Sequence, residues 1–285
     1  GCASLTALTV PNSVTTISSY LFSGCTSLAS VEIGNSVTSV GMSAFINCKS
    51  LTSVKLPNSL TRVNAGTYMG CTGLASVSIP SSVTAMDKTA FSGCPGITKL
   101  TLDTPLLETV KNFTAEYFPD SRATLEQMII ENTVTALADK TCSGCTALST
   151  LNIGENVERL GEGAFYGSAL VSVVVPSTVT YIANGAFFGC KKLVSVSLSD
   201  ALVGMGNIVF KNCYSLTNLV IPDFVATVGW GLCQDCRSLV SVTIGKSVPV
   251  ISIHMFEGCS DLTTVSISDG VQKIAIKAFK SCTSL

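Results

Sequence analysis

Apolar positions along this chain come in short, ordered groups. In the stretch Leu28-Ala29-Ser30-Val31-Glu32-Ile33, apolar and polar residues alternate toward the end, with β-branched members. That is the period of a short strand with one buried face. Pro11, Pro57, Pro80, Pro176 and Pro222 follow such strands. Proline has no N–H for a ladder, so it ends the strand and opens a turn. A second apolar pair spaced by three comes next, as in Val37/Val40 and Val179/Ile182. Spacing of three fits a strand or a helical turn, but Val and Thr dominate here and favour extended structure. Phe22, Phe45, Phe91, Phe165, Phe187, Phe210, Phe256 and Phe279 then fill one equivalent position, which the pattern assigns to the core.

The whole order repeats, and a fixed period decides the architecture. A cysteine marks each unit: Cys2, Cys25, Cys48, Cys71, Cys94, Cys145, Cys190, Cys213, Cys236, Cys259 and Cys282, mostly 23 residues apart. Arg122 and Ser168 stand in the cysteine's place in two units. The unit from Cys94 to Arg122 has 28 residues and that from Ser168 to Cys190 has 22. Gly, Asn or Asp usually precedes the cysteine, which predicts a tight turn with positive φ. One unit cannot bury its own apolar edge, whereas stacked units bury each other's. The fold class predicted is mainly β: a solenoid-like single domain over 1–285, of about twelve coils. Its parallel strands lie about 4.8 Å apart, and its hand is right-handed, as parallel crossovers require. The irregular, longer repeat falls at about 94–121.

Composition narrows the function classes. The 47% hydrophobic content supplies a core and excludes disorder. Net charge is −1 with 17 basic residues scattered, so no basic face for nucleic acid is expected. No apolar run reaches the roughly 18 residues of a membrane span, and no signal peptide is visible. The chain starts and stops inside repeats without polar caps. Flanking sequence, or end-to-end self-association, is therefore expected.

The pattern Phe-x-Gly-Cys-x-x-Leu-x-x-Val-x-Ile-Pro-x-Ser-Val-Thr-x-Ile-x-x-x-Ala-Phe, carried by residues 22–45 and 187–210, resembles the BspA-like class of leucine-rich repeat. The match fails only across about 103–124. The resemblance implies a leucine-rich-repeat solenoid with its parallel sheet on the concave face. It also implies a secreted or cell-surface protein whose function is adhesion or recognition. It implies no catalytic residues.

In that architecture the residue between Val and Ile points out from the concave sheet. The candidate ligand-binding row is then Glu32, Lys55, Ser78, Thr101, Ile129, Asn152, Val174, Ser197, Val220 and Thr243, with Thr9 and Ser266 at its ends. The expected ligand is a protein or glycan. The irregular loop offers Phe113, Tyr117 and Phe118 as a second candidate, set against the reading that these aromatics pack back on the solenoid. A spacer or display array is the alternative to recognition.

Chemistry finds little support. Parallel cysteines on stacked coils do not converge as a disulfide requires. A buried ladder of reduced thiols facing turn carbonyls is expected instead. The pairs Cys142/Cys145 and Cys233/Cys236 raise a weak alternative of redox or metal chemistry, but they lie about four coils apart, too far to share one ion. Cys142 and Cys233 also occupy the Phe position, so they are expected to point inward. The lone His254 aligns with Ser43 in a surface turn and is read as solvated. No phosphate loop, catalytic dyad or carboxylate pair appears. No enzyme activity, cofactor or metal is therefore expected. Asn112-Phe113-Thr114 is the one N-x-S/T sequon.

Overall fold

The computed structural model describes residues 1–285. Each repeat makes one coil of a solenoid. The coils, numbered 1 to 12, contribute the long strands Ala7–Val10, Ser30–Ile33, Ser53–Lys55, Ser76–Ile79, Lys99–Leu102, Gln127–Ile130, Thr150–Asn152, Ser172–Val174, Ser195–Ser197, Asn218–Ile221, Ser241–Ile244 and Thr264–Ile267. All pairing is parallel and steps by one repeat: Ala7 lies opposite Ser30 and Ser241 opposite Thr264. The Val/Thr-rich segments form a second parallel column of two-residue strands, from Thr16–Ile17 to Lys273–Ile274, as their composition predicts.

The long-strand column is not one continuous sheet. Pairing is interrupted between coils 2 and 3, 7 and 8, and 9 and 10. The break between coils 7 and 8 coincides with the 22-residue unit.

Between the two columns lies one continuous core. Its aromatic rings stack along the solenoid. Phe22, Phe45, Tyr68, Phe91 and Phe118 follow one another at centroid distances of 5.1–5.3 Å. Phe165, Phe187 and Phe210 stack at 5.6 and 5.7 Å. The runs stop where Cys142 and Cys233 replace the ring, and both thiols are fully buried.

The repeat cysteines recur once in most coils, most of them buried, and none is joined to another. In most coils the Sγ donates to the carbonyl at the Phe position of the coil before: Cys71 to Phe45 O at 3.2 Å, Cys213 to Phe187 O at 3.2 Å and Cys236 to Phe210 O at 3.0 Å, whereas Cys145 donates to Thr114 Oγ1. The thiol thus satisfies a buried carbonyl, which is why a small weak donor recurs there. The preceding residue has positive φ in every regular coil, for example Asn47 at 61°, Gly189 at 71° and Asp235 at 62°. A second left-handed column sits four residues earlier, at Ser43, Gly163, Gly185, Ile208 and His254. No sequence signal marked it, because residue types there are mixed.

The irregular unit is built of short helices. Leu106–Thr109 replaces the short strand, and Phe113–Tyr117 and the 3-10 turn Pro119–Ser121 follow. The five added residues let Phe118 reach the ring stack beside Phe91. Arg122, in the cysteine's place, donates from Nη2 to Ser143 O at 2.6 Å. Ion pairs Lys88–Glu116 and Lys111–Asp139 tie the segment to its neighbours.

Candidate functional site

Alternation along each long strand decides which side chains can meet a ligand. In Asn218–Ile221 the burial runs exposed, buried, exposed, buried, so Asn218 and Val220 face out. The same pattern puts Glu32, Lys55, Asn152, Val174, Ser197, Val220 and Thr243 in the open, and leaves Ser78, Thr101 and Ile129 half-buried. Within each paired group of strands the row runs coil to coil because registers step by one repeat: Val174 lies opposite Ser197 and Val220 opposite Thr243.

The row divides into two chemically different halves. Coils 2 to 5 carry Glu32, Lys55 and Lys99 among hydroxyls. Glu32 and Lys55 line a hollow of about 210 Å3 at the first sheet break. Lys55, Ser78 and Thr101 share another of about 190 Å3 with Lys99. Coils 8 to 11 carry no charge in the row. Val174 is 71% exposed and Val220 61%. The residue just before the strand adds Val171, Val194 and Val240, all exposed. Backbone hydrogen bonds link Val194 N to Val171 O and Val240 N to Thr217 O, so these positions also stack coil on coil. The sequence reading missed this second row, although Leu-Val-Ser before the strand in coils 8, 9 and 11 was its signal.

At the break between coils 7 and 8 the unpaired strands leave a cleft of about 530 Å3. Asn152 and Val174 lie in it, with Ser149, Glu155 and Ser172 around them. Its size falls within the roughly 300–1,000 Å3 usual for ligand sites.

The loop candidates are placed otherwise. Phe113 and Phe118 are buried and Tyr117 nearly so, packed ring to ring: Phe113 meets Tyr117 edge-on at 5.3 Å. No ligand reaches them without opening the core, which corrects the expectation that they offer an exposed site. The physical reason is their volume. Three aromatic rings gain more by covering the solenoid than by standing in water, while the segment's charged side chains, such as Lys111 and Glu116, stay at the surface in ion pairs.

His254 is also placed differently from the solvated residue expected. It is half-buried, with Nδ1 2.5 Å from Glu257 Oε2, and Lys280 joins the same carboxylate at 3.1 Å. Lys280 and then His254 hold the Glu257 carboxyl below the usual carboxylate range. No three His, Cys, Asp or Glu side chains converge on a point that would suit a metal ion. Burial pushes the Cys142, Cys213 and Cys233 thiols well above their ordinary range, and Cys94 and Cys190 to about 11. Protonated, buried thiols are poor nucleophiles.

A family model for the BspA type leucine rich repeat region (6 copies) matches residues 1–123, 111–236 and 158–285. The chain belongs to the BspA-type leucine-rich repeat family. The fold is shared with solved bacterial leucine-rich repeat proteins. One from Bacteroides ovatus is 23% identical, with a TM-score of 0.55, and the match covers 98% of this chain and 73% of that one. One from Eubacterium ventriosum is 22% identical, with a TM-score of 0.54, covering 98% and 83%. No curated protein matches the chain. The family and fold are generally non-enzymatic, and no helix here is long and apolar enough to cross a membrane.

Proposed function

We infer that this chain is a non-enzymatic recognition or adhesion module of a secreted or cell-surface protein. It takes its ligand, a protein, on the strand face of coils 7 to 11. The observation that carries this reading is the uncharged face where Val171, Val174, Val194, Val220 and Val240 stand exposed beside the cleft at Asn152. Depletion of charge around exposed apolar residues marks the centre of protein interfaces. Family membership supports an extracellular setting.

Magnitudes say what the contact must look like. Covering a fully exposed valine is worth about 1.5 kcal/mol at the low end, and the five valines stand only 41–71% exposed, so together they give about 4 kcal/mol. Association costs at least about 4 kcal/mol before side-chain ordering. The valines alone therefore do not hold a partner. The ligand must span several coils and use the flanking Ser172, Ser195, Asn218 and Ser241 for hydrogen bonds. Coils 7 to 11 offer about 20 Å of face at strand spacing.

The test is a binding screen against extracellular-matrix proteins, with a Val174→Arg/Val220→Arg variant beside the parent chain. Both positions are exposed, so the variant keeps its fold. Saturable binding that the variant loses supports the reading. Binding that survives both arginines, or no binding to any matrix protein, overturns it and favours a spacer array.

A further inference from the structure

A second feature lies on the turn side of the solenoid, away from the strand face. In coil 7 the turn reads Cys145-Thr146-Ala147-Leu148, and in coil 9 Cys190-Lys191-Lys192-Leu193. Coil 8 has only Ser168-Ala169-Leu170. The turn hydrogen bonds Leu148 N to Cys145 O and Leu193 N to Cys190 O, both 3.0 Å, have no counterpart there. The missing residue leaves a hollow of about 470 Å3.

What surrounds the hollow is unlike any other coil. Its floor is Ser168 and Ala169, both buried, with Gly167 and Gly189 at the left-handed turns. A Cβ on Gly167 would meet nothing within 4 Å, so this part of the hollow is open. On one side stand Tyr166 and Phe188, stacked at 5.2 Å where most other coils carry small, polar or aliphatic residues. On the other stands Tyr214, with Lys191 5.8 Å from its centroid and Arg237 4.9 Å. The chain's ion pairs use Lys88, Lys111, Lys246, Lys280 and His254. Lys191, Lys192 and Arg237 have no carboxylate partner.

Aromatic walls, a hydroxyl at Thr146, an amide at Asn212 and unpaired cations at the rim select a ligand with three properties. It has apolar ring faces, a polar edge and a negative charge. We propose that this hollow binds an acidic sugar unit of a glycan, its ring against Tyr166 and Tyr214 and its carboxylate or sulfate on Lys191 and Lys192. The hollow reaches from Thr146 on coil 7 to Tyr214 on coil 10, about 14 Å at strand spacing, room for one or two rings. Lysine binds an anion as a point charge, so charge is required and its carrier is open to either group.

Isothermal titration with sialyllactose, a heparin-derived disaccharide and neutral lactose tests this. At least one charged saccharide should bind, with lactose at least tenfold weaker. Lys191→Ala/Lys192→Ala should weaken binding tenfold or more, and Tyr166→Ala likewise. Lys49→Ala, the same turn position on a coil with no deletion, should leave it unchanged. Should Tyr166→Ala fail to fold, the exposed lysine pair still decides. The Val174→Arg/Val220→Arg variant should bind saccharide normally, which separates this site from the strand face. Charged saccharides binding no better than lactose, or equally well to the lysine variant, overturn the proposal. So does lysine-dependent binding of a sulfotyrosine peptide without any saccharide binding.

Discussion

Replacing Phe187 with alanine probes the ring stack at a ring with a neighbour on each side. The side chain is fully buried, with Phe165 at 5.6 Å on one side and Phe210 at 5.7 Å on the other. Truncating a buried phenylalanine costs about 3–5 kcal/mol through lost transfer energy and the cavity left behind. The two stacked contacts place this site toward the upper end, since aromatic pairs add about 0.5–1.5 kcal/mol beyond area. The rings above and below are fixed by their own coils, at a spacing set by strand pairing, so the cavity has little room to collapse. Coils contact only their neighbours, so the loss acts as a weak link in a linear array. Urea denaturation followed by circular dichroism should show a midpoint lowered by the equivalent of about 4 kcal/mol. The transition should also become broader or split as coils on either side decouple. Phe224→Ala, at a ring 69% exposed, is the control and should stay within about 0.5 kcal/mol. A Phe187→Ala loss below about 1.5 kcal/mol, in one sharp transition, would refute the claim that stacked rings hold adjacent coils together.

Other outcomes follow from the same geometry. Gly189→Val should destabilise by about 1–2 kcal/mol, because φ there is 71° and left-handed backbone penalises a β-branched residue. Gly189→Asn should cost much less, since Asn47 and Asn212 occupy the same turn; equal midpoints for the two variants in thermal melts would count against it. With a thiol reagent at neutral pH, the exposed Cys2 should label fast, Cys282 more slowly and the remaining thiols only in denaturant, as counted by mass spectrometry. Stability should hold up to about pH 9 and fall between pH 9 and 11. There the unfolded chain releases thiol protons that Cys94 and Cys190, raised to about 11, still keep. Urea midpoints that stay flat across that window would contradict it.

The regular coils were legible because three signals with one period agreed. Alternation at Val31 and Ile33, the ring at Phe45 and the thiol at Cys48 each had a fixed place, and stacking turned each place into a column. The outward row was legible for the same reason: a strand's period of two leaves no choice of face. The irregular segment was not. Phe113, Tyr117 and Phe118 had no repeat to copy, and burial of three rings won over exposure. Nor was the second left-handed column legible, where Ser43, Gly163, Ile208 and His254 share a conformation without sharing chemistry. Backbone geometry there follows from the turns on either side, and Ile208 adopts φ 51° against its own preference. The valines before the strand were visible as letters, but only coil stacking shows that they form a row.

The most informative departure from the period is also the smallest. A 22-residue coil among 23-residue neighbours has to lose its residue somewhere, and the thiol-side turn is where it goes. That loss makes the hollow between Tyr166 and Tyr214. It also shortens the path into the Ser172–Val174 strand, which stands unpaired from Thr150–Asn152. Coils 2/3 and 9/10 are unpaired without any change in length, so a deletion is not needed for a break, and whether it causes this one is open to test. Inserting a threonine between Ser168 and Ala169 gives Ser-Thr-Ala-Leu, matching the turn of coil 7. The restored turn should refill the hollow and abolish charged-saccharide binding. If the deletion also holds the strands apart, amide exchange at Val171 and Val173 should slow as those N–H groups find coil 7 carbonyls, and the cleft beside Val174 should close. Slowed exchange with lost binding at both faces would make one missing residue the origin of two sites. Unchanged exchange would assign the cleft to the twist of the sheet and leave the hollow as the deletion's only product.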